Sequence, residues 1–236
     1  MDTRLDGRIA LVTGGAGTIG VAVATALARA GCTVYLGDVR LEAALDCAEA
    51  LGDAARAIAL DVSDARQAVE AVRRIEVEAG GLDILVTNAG VITAGTATAA
   101  SFEDWDAACA VNLSGVYYCA KAAWPALMRR GRGRIIHIAA TGAASGIGPA
   151  GNVFASAAQA GVCALTRGLA RELAAHNITV NAIAPPGLTA AARTAHPSSR
   201  AITAQDVANV AAFLASDAAA CITGETLLAD GAAPER

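Results

Sequence analysis

Short apolar runs recur along the chain, each separated from the next by a longer alanine-rich stretch with helical periodicity. The runs are RIALVTG (8–14), TVYLGD (33–38), AARAIALDV (54–62), LDILVTNAG (82–90), RIIHIAA (134–140), ITVNAIAP (178–185) and ETLLADG (225–231). They are continuous rather than alternating, so both faces of each strand must be covered. Between them lie IGVAVATALARAG (19–31), closed by Gly31, then LEAALDCAEAL (41–51), and SDARQAVEAVRRIEVEAG (63–80) with Ser63 as its N-cap. A helical segment at 101–130 is expected to kink near Pro125, and helices are predicted at about 153–175 and at AQDVANVAAFLAS (204–216). Strands alternating with helices predict an α/β fold, a doubly wound parallel sheet of about seven strands with helices on both faces. No Ser/Pro/Gly-rich linker divides the 236 residues, which read as one domain, 1–236. Its nucleotide-binding half is about 1–95, and its pocket and oligomerisation half about 96–236.

Apolar residues make up 55% of the chain but aromatics only 3%, so the core must be built from Ala, Val, Leu and Ile. A net charge of −4 leaves no basic footprint for nucleic acid. The six cysteines (Cys32, Cys47, Cys109, Cys119, Cys163 and Cys221) include no CxxC pair and stand apart from the three histidines. No metal site is expected, and reduced thiols in a cytoplasmic protein are the plainer reading. The apolar run near the N-terminus is too short for a signal-peptide core or a membrane span.

The first strand runs into TGGAGTIG (13–20) and a helix follows at once. A glycine-rich turn there lets backbone N–H groups and the helix N-terminus meet a diphosphate. Asp38 closes the second strand. An acid at that place accepts hydrogen bonds from both ribose hydroxyls of NAD and repels the 2′-phosphate of NADP, so NAD(H) is expected rather than NADP(H). As a purely local residue, Asp38 would serve a turn ahead of 41–51.

These segments resemble the short-chain dehydrogenase/reductase family, over the whole length of the chain and most closely its ketoacyl-reductase-like branch. The resemblance implies a Rossmann fold. It assigns Gly14, Gly17, Thr18, Ile19 and Gly20 to the diphosphate loop, Asp38 to the ribose, and Asp61 and Val62 to the adenine. Asn88, Ala89 and Gly90 match the family's NAG motif, Asn112 in VNLSG its helix asparagine, and Pro185 in VNAIAP the strand end beside the nicotinamide. The loop departs from the pattern at Thr18, where relatives carry their middle glycine; the neighbouring Gly17 is a candidate to compensate.

The reaction of that family needs a Tyr as general acid/base, a Lys four residues on that lowers its pKa, and a Ser that polarises the carbonyl. Counting back from CALTRGLARELA (163–174), the Tyr position falls on Ala155 and the Lys position on Gln159; counting forward from RIIHIAA gives Val153 and Ala157. Either way the pair is absent, since no tyrosine follows Tyr118 and no lysine follows Lys121. The Ser position falls on Ala140, with Thr141 as the neighbouring hydroxyl, so of the four catalytic positions only Asn112 is retained, and without its partners it reads first as a helix-kink residue. Pro186 is an extra proline after Pro185, Thr189 is out of register for the carboxamide contact, and the lid segment 187–200 is short by about a dozen residues.

Replacement groups are few. His137 lies inside a strand and reads as a hydrogen-bonded core residue; Tyr117 and Tyr118 read as packing residues. Ser145 and Ser156 read as turn or helix-surface hydroxyls, with no base placed near them by the sequence, and Arg193 and His196 read as solvated loop residues. The leading expectation is a degenerate family member that binds NAD(H) and serves as a sensing, scaffolding or partner subunit. Its partners would be the dinucleotide and a small-molecule ligand, in a homodimer, a homotetramer or a hetero-oligomer with an active relative. The alternatives are a non-redox enzyme of the same fold (cyclase, dehydratase or isomerase) and a residual NAD-dependent oxidoreductase.

Overall fold

The computed structural model describes residues 2–91, 98–139, 153–185 and 202–229. Its strands are β1 (Ile9–Thr13), β2 (Thr33–Asp38), β3 (Ala55–Ala59), β4 (Ile84–Thr87), β5 (Arg134–Ile138), β6 (Thr179–Ala184) and β7 (Thr226–Leu228). All pair in parallel, in the order β3-β2-β1-β4-β5-β6-β7. This is the doubly wound α/β Rossmann-like sheet that the alternating pattern predicts.

The helices are α1 (Thr18–Arg29), α2 (Leu41–Leu51), α3 (Ala65–Ala79), α4 (Phe102–Cys109), α5 (Gly115–Arg130), α6 (Val153–Leu173) and α7 (Ala204–Ala215). Alternate residues of the strands serve opposite layers. Leu11, Leu85, Ile135 and Val180 pack with residues of α3, α5 and α6. Ala10, Val12, Ile84, Val86, Ile136 and Ile183 pack with residues of α1, α2 and α7. The small side chains decide how close the helices come: Ala24 on α1 and Ala208 and Ala211 on α7 are fully buried in the second layer. By length and composition α6, with the turn after it, could cross a membrane. Here it lies on the sheet, with Leu169, Ala170 and Leu173 in the first layer.

Two local expectations change. The N-cap of α3 is Asp64, which accepts the Arg66 N–H at 2.9 Å. Ser63 turns back instead, donating its N–H and Oγ–H to Asp61 Oδ1. The helical segment 101–130 breaks not at Pro125, which lies inside α5, but at a π-helical turn over residues 110–114. Asn112 sits at the centre of that turn, and a wider turn re-aims a side chain without ending the helix.

At the N-terminal ends of the strands, charges tie the sheet together. Asp83 is fully buried and accepts the Ile9 N–H at 3.0 Å. It also pairs with Arg130 at 2.9 and 3.1 Å and with Arg132 at 3.3 Å. Arg8 and Arg134, both buried, meet Asp217.

Candidate functional site

Connections leave β1 toward β2 on one side and return through β4 on the other, so the strand order reverses between β1 and β4. Ligands of open α/β sheets bind in the crevice at such a reversal. The residues that follow β1 and β4 are Gly14 and Asn88, and they are tied together. Thr13 Oγ1 accepts the N–H groups of Asn88 at 3.0 Å and Ala89 at 3.1 Å. The Asn88 side-chain amide donates to the carbonyls of Thr13 and Gly14 at 3.1 and 3.0 Å. Gly14 has φ +61°, and a Cβ there would lie 2.8 Å from Ala89 Cα. A Cβ on Gly20 would overlap the Gly14 carbonyl oxygen. Glycine is required at both places by close backbone approach.

A cleft of about 350 Å³ opens over this junction. It brings together Gly14, Gly17, Asp38, Asp61, Val62, Asn88, Ala89 and Gly90, eight of the residues that the sequence nominated for a dinucleotide. Gly17 is the N-cap of α1; no side chain caps that helix and no acidic residue stands in its first turn. Its unpaired N–H groups therefore suit an anion such as a diphosphate. Thr18, the first residue of α1, is exposed, Ile19 is half-buried and Gly20 buried. None of these three lines the cleft, and neither does Pro185, which is buried just after β6.

Asp38 is held from two sides. Its Oδ2 accepts the Ala16 N–H from the glycine loop at 3.0 Å, and its Oδ1 accepts the Arg40 N–H at 3.0 Å. Asp38 thus fills the local turn role as well as facing the cleft. Asp61 accepts from Ser63 and donates its own N–H to Gln67 Oε1 at 2.9 Å. Sequence reasoning missed Arg40, Val39 and Val111, which also line the cleft. The Asp-x-Arg spacing at 38–40 was the available signal for Arg40.

On the other side of the sheet's reversal, Asn112 is buried and clasps the chain after the NAG segment. Its Oδ1 accepts the Val91 N–H and its Nδ2 donates to the Val91 carbonyl, both at 2.8 Å. Cys163 on α6 clusters with Ala139 and Ala184 at the C-terminal ends of β5 and β6. Gln159 lies one helical turn nearer the start of α6, and Ala155 a turn beyond that, so both stand past the strand ends. Ala155 is buried; Gln159 is half-buried, with its Oε1 enclosed and without a hydrogen-bond partner among the described residues. Val153 is exposed, as is Ala157. Ala140, Thr141, Ser145, Pro186, Thr189, Arg193 and His196 lie outside the described residues.

His137 is fully buried and pairs through Nδ1 with Thr87 Oγ1 at 2.7 Å. Burial pulls its pKa down to about 4, so it is neutral at neutral pH. Tyr117 is exposed and Tyr118 half-buried on α5, with their rings 6.3 Å apart. Among the described residues, no three His, Cys, Asp or Glu side chains are grouped to hold a metal ion. The six cysteines are free thiols.

Residues 14–232 match a protein-family model described as enoyl-(acyl carrier protein) reductase. The chain is 35% identical to the D-threitol dehydrogenase of Mycolicibacterium smegmatis, covering 98% of this chain and 94% of that one. It is 36% identical to the 3-oxoacyl-[acyl-carrier-protein] reductase of Escherichia coli K12, covering 96% and 97% respectively. A solved structure from Sinorhizobium meliloti 1021 superposes with a TM-score of 0.92 at 34% identity, covering 98% of both chains.

Proposed function

The chain belongs to the short-chain dehydrogenase/reductase family and is a homologue of its oxidoreductases, and we propose that it binds NAD(H) but lacks the family's ordinary acid–base step. The observation that carries this reading is the absence of any tyrosine after Tyr118 and any lysine after Lys121. A bound dinucleotide supplies reversible hydride transfer. Converting an alcohol to a ketone also requires a group on the protein to hold the hydroxyl proton. Ala155 has no such group, and the Gln159 amide neither carries a charge to lower a neighbour's pKa nor exchanges a proton near neutrality.

In this reading Gly14, Gly17, Thr18, Ile19 and Gly20 offer the diphosphate their backbone, and Asp38 takes the adenosine ribose. Asp61 and Val62 flank the adenine. Asn88, Ala89, Gly90 and Pro185 frame the nicotinamide end. The enclosed Gln159 Oε1 accepts a hydroxyl from the ligand that fills this end. The whole chain acts as one domain, and its role is to report or transmit dinucleotide occupancy as a sensing, scaffolding or partner subunit. The half-buried and exposed apolar residues of α5 and α6, Tyr117, Met128 and Val153 among them, support assembly into a dimer or tetramer.

A second reading, a working NAD-dependent oxidoreductase, is favoured by the identity to D-threitol dehydrogenase and to 3-oxoacyl reductases across nearly the whole chain. One experiment separates the two. Purified protein is titrated calorimetrically with NAD⁺ and NADH, then assayed with each against D-threitol and acetoacetyl thioester. Binding without turnover is the expected result. Robust turnover that disappears in Gly14→Val would replace the first reading with the second.

A further inference from the structure

The N-terminal edge of the sheet carries more positive charge than its own carboxylates neutralise. Arg8, just before β1, and Arg134, at the start of β5, are each 2% exposed. Both guanidiniums donate to one oxygen, Asp217 Oδ1, Arg8 through Nη2 and Arg134 through Nη2 at 3.1 Å. Burial first, then the like charge of Arg8, push the Arg134 pKa below the usual guanidinium value. Asp83 is already shared by Arg130 and Arg132. The ion-pair cluster thus sets four guanidiniums against two carboxylates. A buried guanidinium short of negative charge is costly to the fold.

Two donors in the same place lack an acceptor. Arg134 Nε and Thr179 Oγ1 are enclosed and without a hydrogen-bond partner among the described residues. Thr179 opens β6 and is the register partner of Arg134, so the two side chains project to one face. A buried donor normally has an acceptor, and one anion placed there serves both. Asp217 is the least enclosed member of the cluster. Its side chain is 74% exposed, and among the described residues no donor reaches Oδ2. It begins the short turn after α7, so it can swing outward without disturbing a strand. Water hydrates the released carboxylate, whereas the two buried guanidiniums need another anion. Arg132, 43% exposed, stands at the rim of the cluster.

We propose that Arg8, Arg132, Arg134 and Thr179 form a binding site for a small divalent oxyanion such as phosphate or sulfate, with Asp217 as its displaceable internal occupant. The oxyanion takes the two Nη donors that now meet Oδ1. Its other oxygens accept from Arg134 Nε, from the Thr179 hydroxyl and from Arg132. Guanidiniums suit this ligand, since their planar forks meet phosphate oxygens through parallel N–H bonds. Two negative charges match the excess of two guanidiniums. The site lies at the opposite end of the strands from the dinucleotide cleft, so it does not depend on how that cleft is read.

The test is titration of inorganic phosphate into the wild type, Asp217→Asn, Arg132→Gln and Thr179→Val. Calorimetry and urea midpoints are the readouts, with chloride at matched ionic strength as the reference. The wild type is expected to bind phosphate saturably with a Kd of roughly 1 mM, far below the concentrations at which phosphate acts as an excluded solute. Asp217→Asn removes the competing carboxylate and should bind at least about tenfold tighter. Its urea midpoint should recover in phosphate but not in chloride. Arg132→Gln and Thr179→Val should each bind at least about threefold more weakly. Glycerol 3-phosphate, titrated in parallel, separates a free ion from the phosphate group of a larger ligand; binding of either supports the site. Equal effects of phosphate and chloride on the wild type would mean charge screening alone and overturn the proposal, whatever Asp217→Asn does. Phosphate binding that none of the three variants alters would also overturn it, leaving a purely structural ion-pair cluster.

Discussion

Thr13 Oγ1 accepts two consecutive backbone N–H groups, from Asn88 at 3.0 Å and Ala89 at 3.1 Å. Together with the Asn88 amide, which donates back to the carbonyls of Thr13 and Gly14, this buried hydroxyl holds the loop after β1 against the loop after β4 at the base of the cleft. Thr13→Val keeps the shape and deletes the acceptor, leaving the two donors unpaired in a confined place. The expected loss is about 2 kcal/mol in urea unfolding, with NAD⁺ affinity falling more than stability alone requires. Thr13→Ser should restore both. A variant that loses stability but keeps full affinity would show that the two loops hold their spacing without this bridge.

Asp83 gives the matching control at the opposite end of the sheet. It is fully buried against Arg130 and Arg132 and accepts the Ile9 N–H. Asp83→Asn leaves two partly exposed guanidiniums that water can reach but deletes their charge-assisted hydrogen bonds, so the expected loss is about 2 kcal/mol. Chemical denaturation should show that loss, while calorimetry on the folded protein should find the dinucleotide affinity unchanged.

The fold class was legible because continuous apolar runs between helices leave few architectures open; the strand order was not, because more than one order covers both faces of a parallel sheet. The dinucleotide cleft was legible because glycine is the only residue that permits the backbone approaches at Gly14 and Gly20. What was not legible were the exchangeable local partners. Ser63 and Asp64 are both good caps, and only the turn closed by Asp61 decides that Asp64 caps α3. Pro125 is the obvious helix breaker yet lies inside α5; the bend falls at Asn112, which the sequence already marked as a helix-kink residue, and only its π-helical form and the clasp on Val91 were hidden. Asp38 was read as either a ligand contact or a turn residue; its two oxygens let it face the cleft while holding the turn.

His137 makes stability depend on acidity. Its folded pKa is lowered to about 4 by burial, below the ordinary imidazole value near 6.5. As pH falls through 6.5 the unfolded chain takes up a proton that the folded chain refuses until about pH 4. Stability from this residue is thus fully present above pH 6.5 and is lost as pH falls from there toward 4, by roughly 3 kcal/mol in all. His137→Gln can keep a hydrogen bond to Thr87 but cannot titrate. Urea midpoints for the two proteins at pH 7, 5.5 and 4.5 should converge as pH drops, the wild type losing more. Parallel curves would mean that His137 keeps an ordinary pKa.

The proposed loss of acid–base chemistry can be reversed by design. Gln159→Lys alone adds a cation with no tyrosine to activate. Ala155→Tyr alone adds a phenol with a pKa near 10, a poor base at neutral pH. Together, one helical turn apart on α6, they place the cation beside the phenol. The double variant should oxidise D-threitol or reduce acetoacetyl thioester at least about a hundredfold faster than either single variant, and oxidation should quicken with rising pH as the phenol ionises. Ala155 is buried, so the new ring overpacks its site at a cost of about 1–3 kcal/mol. Circular dichroism and NAD⁺ titration of the double variant separate that cost from catalysis. If it folds, binds NAD⁺ and still turns nothing over, the missing pair is not what silences the site. Equal turnover by the wild type would show that another group already carries the proton.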